Sequence, residues 1–340
     1  SSATGVPAYW ASWDDFNFND MAHELEMIDG QAQMAYRASK GLPWHGLGTP
    51  VGDDMTPQEM MEAAGLDWDV KKVESFVRWN GDNVLTGQHS LIRSTDGKIL
   101  TQVGPGWNPV QNSEAFEFFA DFVSKGDMVM DTAGSLNDGR IVWALADVQD
   151  SFTLFGGDEV KGYLLFSNPH QYGKAIDVKF VMERVVCNNT LTVALAESGQ
   201  PAVRVNHRSI FDADRVKELL GLSHRKVATF KEAAEFLGSK QYGQNDLEKY
   251  FGNIFGESTK EDKKLSPTAE RAVEVVETQP GAEFRKGSFW QMFNAVTYMA
   301  DHELGRSTDS RMNSAWFGAN AKRKVDALNL AVEMAEMADA

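Results

Sequence analysis

The sequence predicts an α+β fold: an antiparallel, β-hairpin-rich sheet packed with helices and followed by a helical carboxy-terminal region. Apolar and polar residues alternate in short runs up to about residue 208, and Asn-Gly and Asp-Gly turns separate several of these runs, as in β-hairpins. After residue 211, apolar residues recur at every third or fourth position, which is the helical period. A chain of 340 residues with 42% hydrophobic content is long enough to bury a large core. Strands first and helices afterwards are typical of the α+β class.

The first predicted elements are a short helix and a β-meander. Thr56-Pro57-Gln58-Glu59 predicts a helix start, because Thr caps the first turn, Pro fits into it and Glu favours the positive helix end. Strands are predicted at 70–79, 84–93 and 99–103, with turns at 80–82 and 94–98. A helix capped by Asn112 or Ser113 follows, with apolar residues on one face.

A second block of strands precedes the later helices. Strands are predicted at 128–133, 140–147, 161–168, 175–188 and 202–208, and helices at 212–220, 229–237, 246–255, 267–278, 288–303 and 320–338. The predicted parts are a tag-like or flexible arm (1–20), a hairpin-rich α+β core (21–210), a helical extension (211–255), a flexible linker (256–266) and carboxy-terminal helices packing on the core (267–340). The aromatic and acidic residues of the arm also fit a docking peptide, so that alternative stays open.

The charge of the chain argues against a surface that attracts polyanions everywhere. The formal net charge is -16 at pH 7. Residues 1–150 carry 9 Lys and Arg against 23 Asp and Glu, residues 241–340 carry 12 against 16, and residues 151–240 carry 12 against 10. The middle region is therefore the one that is not acidic, although chance variation along the chain explains so small an excess equally well.

Several classes of protein lose support from the sequence. A single Cys excludes an intramolecular disulfide, and no run approaches the roughly 20 apolar residues that a membrane helix needs. No charged-then-apolar leader opens the chain, so we expect a cytoplasmic protein that does not bind membranes. The glycine-rich nucleotide loops are missing and the histidines lack metal-ligand spacing. We expect no cofactor and no metal, and the sequence favours a non-enzymatic role without deciding it.

Four short segments carry a family signal. They are Arg184-Val185-Val186-Cys187-Asn188-Asn189-Thr190-Leu191, Trp44-His45-Gly46-Leu47-Gly48, Val203-Arg204-Val205-Asn206-His207-Arg208 and a late helix at 288–298. Together they resemble a phage- and plasmid-borne family of unknown function, DUF932. The resemblance extends from about Met21 to the late helix and implies mobile-element biology, but it implies no reaction. The motif residues are Trp44, His45, Gly46, Gly48, Cys187, Asn188, Asn189, Thr190 and Asn294.

Each motif has a structural and a functional interpretation. The loop at 44–48 is either a ligand-binding lid or a Trp anchor for the amino-terminal segment. Cys187 is either a small buried hydrophobe or a nucleophile with His207 as its base. The amides of 188–189 fit backbone hydrogen bonds at the end of a strand. The late helix either contacts another domain or subunit, or is a core helix wrapped on several sides.

These features favour a nucleic-acid-binding protein. Binding of single strands needs cations along the phosphates and aromatic side chains on which bases stack. The candidates are Lys174, Lys179, Arg184, Arg204, His207, Arg208, Arg225 and Lys226, with Tyr163, Phe166 and Tyr172. Since side chains alternate along a strand, Lys179 and Arg184 are expected on opposite faces.

The leading hypothesis is a phage- or plasmid-encoded homo-oligomer that binds or anneals single-stranded DNA in recombination or replication, without ATP. An analogy with annealing proteins built from hairpins and helices favours the same hypothesis. Global acidity instead favours an interaction or regulatory factor that binds a phage or host protein. A third hypothesis is an unrecognised hydrolase built around Arg184, Asn188, Asn189 and His207.

Overall fold

The structure, a computed structural model, describes residues 25–41, 46–184, 189–192, 203–220, 223–257, 265–305, 314–316 and 318–338. Within these residues thirteen strands follow one another: β1 (Met27–Ile28), β2 (Gln31–Ala32), β3 (Met34–Arg37), β4 (Thr49–Val51), β5 (Val70–Trp79), β6 (Asp82–Arg93), β7 (Ile99–Val103), β8 (Val129–Leu136), β9 (Ile141–Leu154), β10 (Asp158–Pro169), β11 (Ile176–Arg184), β12 (Asn189–Thr192) and β13 (Val203–Val205). The predicted arm, residues 1–20, lies outside the described residues.

The largest sheet has eight strands. Its order is β12-β11-β10-β9-β8-β3-β4, and β13 pairs with the first residues of β11. Neighbouring strands are antiparallel except for β3 and β4, which are parallel. A bulge between Lys161 and Tyr163 shifts the register of the long β9–β10 hairpin. The antiparallel, hairpin-rich sheet predicted from the sequence is therefore confirmed.

This sheet is apolar on both faces. Leu164 and Phe166 point into the main core, which they share with residues of the helices. The intervening Tyr163 and Leu165 point the other way, into a smaller apolar cluster around Trp143. Because successive side chains of a strand alternate between faces, a strand that is buried on both sides reads as a continuous apolar run. Tyr163 and Phe166 are thus core residues and do not offer rings to bases.

A separate three-stranded sheet is formed by the meander β5-β6-β7. Asn80 and Gly81, both with positive φ, make the two-residue turn between β5 and β6, as the type I′ turn requires. The third strand, β7, pairs only with residues 89–92 of β6. Residues 74–88, here named the hairpin arm, therefore continue beyond β7 as a two-stranded ribbon, and residues 76–88 are all exposed.

Helices cover the main face of the large sheet. In the described residues they are α1 (Pro57–Ala63), α2 (Asn112–Glu117), α3 (Ala120–Ser124), α4 (Ala213–Leu220), α5 (Ser223–Ser239), α6 (Gln244–Phe255), α7 (Pro267–Thr278), α8 (Phe289–Tyr298) and α9 (Ala319–Met337). The predicted capping box of α1 forms, with the backbone N–H of Glu59 donating to the Thr56 hydroxyl. All of α8 from Phe289 to Thr297 is buried, and a π-helical turn at Met299–Glu303 continues it. Of the two interpretations of the late helix, the core helix wrapped on several sides is the one observed.

Some predicted bounds are confirmed and others are wrong. β5, β7 and α7 have the predicted bounds. The single helix predicted after residue 112 is two helices, and α5 begins six residues earlier than predicted. β3 and β4 were not predicted, because both are too short to show alternation and β4 contains Pro50. The predicted linker at 256–266 falls largely outside the described residues, and an isolated antiparallel bridge joins its flanks at Glu257 and Leu265.

Over the described ranges, no helix has both the length and the apolar character needed to cross a bilayer.

Candidate nucleic-acid interface

Arg184 is buried in an ion pair on the helix-covered face of the sheet. Its side chain is 1% exposed, and its Nε donates to Oδ1 of Asp158 at 2.9 Å while its Nη2 donates to Oδ2 at 2.8 Å. The indole Nε1 of Trp290 donates to the same Oδ2 at 3.0 Å. This contact joins β10, β11 and α8, and it removes Arg184 from the predicted nucleic-acid groove, because no phosphate reaches it.

Lys179 lies on the opposite face of β11, as its odd position predicts. The register of β10 and β11 runs without a shift from Arg184 to Asp177, so the alternation of faces is preserved. Lys179 is also buried. Burial lowers the pKa of its ammonium group to about 8, against the opposing attraction of Asp177. A side chain in this position does not contact a nucleic acid on the surface, so Lys179 leaves the predicted set as well.

Four predicted residues do lie exposed at one end of the sheet. Tyr172 and Lys174 occupy the loop between β10 and β11, Arg204 is in β13 and Arg208 follows β13. We call these four residues the loop surface. Arg204 Nε donates to Asp177 Oδ1 at 3.0 Å, which fixes the guanidinium beside the start of β11. The exposed aromatic ring and the exposed cations are thus brought to neighbouring loops.

The loop at 104–109 packs against His207, which precedes Arg208 of the loop surface. The backbone N–H of Asn108 donates to the carbonyl of His207 at 2.8 Å. The ring of Trp107 stacks on the imidazole of His207 with centroids 4.1 Å apart. His207 is 1% exposed and burial lowers its pKa. It is therefore a buried support for the neighbouring Arg208 and does not itself contact a ligand on the surface.

A second buried imidazole, His170, lies beside His207. Its Nε2 hydrogen-bonds Oδ1 of Asn112 at 2.8 Å, and because Nδ2 of Asn112 donates to the Leu66 carbonyl, that Oδ1 is the acceptor and the ring nitrogen the donor. Complete burial, with a smaller contribution from His207, lowers the pKa of His170 to about 3. The ring is neutral at pH 7 and fixes the loop that carries Tyr172. Neither residue is predicted as part of a site: the sequence predicts Asn112 only as a possible helix cap, a position that Gln111 occupies in the structure. The signal at His170 is the polar run at 167–171 at the end of an apolar strand.

The predicted hydrolase site does not assemble around Arg184 and His207. Ile176 at the start of β11 pairs with Val205, whereas Arg184 at its end pairs with Val160. Eight residues of strand separate the two ends by about 27 Å. The guanidinium and the imidazole are therefore too far apart to act on one substrate. Cys187 and Asn188 lie outside the described residues.

Other predicted residues are placed only in part. Trp44 and His45 lie outside the described residues, and the side chains of Asn189, Thr190, Arg225 and Lys226 are not described although their backbones lie in β12 and α5. Gly46 and Gly48 have positive φ, and a Cβ on Gly48 would lie 3.2 Å from the Met34 carbonyl oxygen. The requirement for glycine at residue 48 is thus steric and conformational. Asn294 is buried and its Nδ2 donates to the Trp290 carbonyl at 2.7 Å.

A charged cluster that the sequence does not predict links β3 and the residues after it to β8, β9 and β11. Lys40 Nζ lies 3.2 Å from both Asp131 and Glu183, and Arg37 Nη2 lies 2.8 Å from Asp147. The nearby carboxylates of Asp131 and Glu183 raise the pKa of Lys40 against its burial. Glu183 and Arg184 are successive residues of β11, so the cluster lies on the face of the sheet opposite the Arg184–Asp158 pair. The residues come from four separated parts of the chain, which explains why spacing gave no signal.

Comparison with known proteins identifies a family but no characterised relative. The family model described as a domain of unknown function, DUF932, matches residues 99–316. The matched range includes the loop surface and α8, and begins after the hairpin arm and the Trp44–Gly48 segment. No curated protein and no solved structure matches the chain. Because the match covers more than half of the 340 residues, the chain belongs to the DUF932 family.

Proposed function

We propose that the protein binds single-stranded nucleic acid on the loop surface, without ATP. The observation that carries the proposal is the 64% exposure of Tyr172 next to exposed Lys174, with Arg204 and Arg208 on the adjoining segment. An exposed ring and neighbouring cations are the two components that sequence-tolerant binding of single strands requires, since every base offers a stacking face and every nucleotide a phosphate.

The rigidity of the support favours this proposal over chance exposure. Both flanking loops are held by buried contacts, those of His170 with Asn112 and of His207 with Trp107. A loop that is fixed before binding loses less conformational entropy when a ligand contacts it. Exposed side chains on such loops therefore contribute more affinity than the same side chains on a loose segment.

The number of cations sets the strength expected of one chain. Arg204 already pairs with Asp177, which leaves Lys174 and Arg208 as the main phosphate contacts. With so few contacts one chain binds weakly, and the net charge of -16 repels polyanions from the rest of the surface. Assembly into a homo-oligomer would multiply these contacts. We extend the proposal to annealing of single-stranded DNA in phage or plasmid recombination or replication, in the cytoplasm of the host.

Tyr172 provides a specific test of base stacking. Tyr172→Ala is expected to lower the affinity for a labelled single-stranded oligonucleotide about tenfold, because one stacked base contributes about 1–3 kcal/mol. The slope of log affinity against log salt concentration is expected to stay unchanged, since no charge is lost. Fluorescence anisotropy across a salt series measures both quantities.

Tyr172→Phe is the matched control for this experiment. It keeps the ring and is expected to bind as the wild type does. If Tyr172→Ala also bound like the wild type, the ring would play no part in binding and the proposal would lose its main support.

A second candidate function is that of an acidic interaction or regulatory factor that binds a phage or host protein. Its support is the net charge of -16 together with the large apolar side chains exposed on the hairpin arm, among them Phe76 and Trp79. Binding to a purified protein partner that persists at high salt, combined with no affinity for single-stranded DNA at low salt, would favour this function over the first.

A further inference from the structure

The hairpin arm exposes apolar side chains on both of its faces. Phe76 is 57% exposed and lies across from Leu85, while Trp79 and Val77 point to the other face. A two-stranded ribbon is at best marginally stable in water, and monomeric proteins seldom expose so many large apolar side chains together. The arm is therefore expected to contact a partner.

The outer edge of β5 carries unused backbone groups. The type I′ turn makes Trp79 and Asp82 a hydrogen-bonded pair, so the N–H and C=O of Phe76 and Arg78 point away from β6. On the same outer edge, the backbone of Val70 exchanges hydrogen bonds with the side chain of Gln111. Every second residue of a strand directs its backbone N–H and C=O to the same edge, so those of Glu74 also point outward. Within the described chain, no strand pairs with this edge beyond Val70. An open edge of this length is a template for another strand.

The sequence of this edge is complementary to itself. If two copies of β5 pair antiparallel about Phe76, Glu74 of each copy lies opposite Arg78 of the other. The two Phe76 rings face each other, and Val73 lies opposite Trp79 on the other face. Opposite charges and aromatic pairs are the combinations that stabilise neighbouring strands. In this register, the free N–H and C=O of residues 74, 76 and 78 of one copy lie opposite those of residues 78, 76 and 74 of the other. The two strands can therefore form antiparallel hydrogen bonds.

We propose that the hairpin arm is a dimerisation element, in which β5 pairs antiparallel with β5 of a second copy of this chain to form a continuous six-stranded sheet. The contact is isologous, as a two-fold dimer requires. The large apolar side chains of the arm are 46–69% exposed, so one arm exposes apolar area on the order of 600 Å². Pairing covers the part of this area that lies along the β5 edge. This assignment does not depend on the proposed nucleic-acid function.

A charge-swap series on the full chain tests the pairing. Wild-type protein is expected to sediment as a dimer at about 100 µM and to dissociate on dilution. Residue 74 of each copy lies opposite residue 78 of the other, so Glu74→Arg or Arg78→Glu alone creates two pairs of like charges in the dimer. Each single variant is expected to weaken the dimer at least tenfold. The double variant Glu74→Arg/Arg78→Glu restores both pairs and is expected to dimerise within about threefold of the wild type. Both positions are exposed, so melting temperatures should stay within about 2 °C of the wild type.

Three results would overturn the proposal. The first is a wild-type protein that is monomeric at every concentration. The second is a dimer that neither single swap weakens, or one that the double swap fails to restore. The third is a single-swap variant that keeps the wild-type mass but loses affinity for single-stranded DNA, since this would make the arm a nucleic-acid surface.

Discussion

Replacing Asp158 with alanine is expected to lower the free energy of unfolding by about 3–5 kcal/mol, a large fraction of the stability of an ordinary domain. Asp158 is fully buried and is the acceptor for both Arg184 and the Trp290 indole. Without it, the guanidinium keeps a hydrogen bond to the Gly281 carbonyl but loses its carboxylate. The cost is the desolvation of a charge whose compensating charge has been removed. Urea unfolding followed by tryptophan fluorescence measures the change.

Two further variants separate this effect from a general sensitivity of the chain. Arg184→Met added to Asp158→Ala removes the second charge and is expected to recover at least half of the lost stability. Asp326→Ala, which breaks an exposed ion pair with Lys322, is expected to change stability by less than about 0.5 kcal/mol. A loss below about 1 kcal/mol for Asp158→Ala would show that the buried pair does not hold the sheet to α8.

Acid is expected to destabilise the protein through His170, by about 2 kcal/mol between pH 7.5 and pH 5. The folded-state pKa of about 3 lies below the value near 6.5 of the unfolded chain. Below pH 6.5 the unfolded state therefore binds a proton that the folded state does not, and stability falls as pH falls. His207, whose pKa burial also lowers, changes stability in the same direction. Urea unfolding at the two pH values measures the loss.

His170→Gln identifies the residue responsible. Glutamine keeps a donor for Asn112 but does not titrate, so the stability of the variant is expected to change less between the two pH values than that of the wild type. An unchanged pH dependence in this variant would assign the acid sensitivity to other groups.

Local signals predicted much of the secondary structure. The Asn80-Gly81 turn and the alternation around it predicted the meander, and the helical period predicted α7, whose first turn is capped by the Ser266 hydroxyl accepting from the Ala269 N–H. These signals act within a few residues, so the sequence displays them directly. β3 and β4 are stabilised instead by pairing with a distant strand and with each other, and nothing near them in the sequence records that pairing.

The candidate site was predicted less well than the fold, because exposure depends on distant partners. The sequence predicts Arg184 as a phosphate ligand, because nothing near it in the chain shows that Asp158, 26 residues away, pairs with it. The sequence likewise predicts His207 as a base or a cation, whereas in the structure its ring stacks on the distant Trp107 and is buried. Lys174 and Arg208 are exposed, as a phosphate ligand must be, because they lie in loops where few other residues surround them. Composition identified the types of side chain, whereas the tertiary structure decided which of them reach solvent.

The central proposal is that Lys174 and Arg208 hold phosphates of a single strand, and a salt series measures this most directly. We expect single-stranded DNA to bind the wild type more tightly than a duplex of the same length, with affinity falling as salt rises. Lys174→Ala/Arg208→Ala is expected to weaken binding and to reduce the slope of log affinity against log salt by about 1.4, because two phosphate contacts are lost. The control Lys125→Ala/Lys249→Ala removes two exposed cations elsewhere and should retain the wild-type slope. No binding of the wild type at low salt, or equal losses in both double variants, would contradict the loop surface as the nucleic-acid interface.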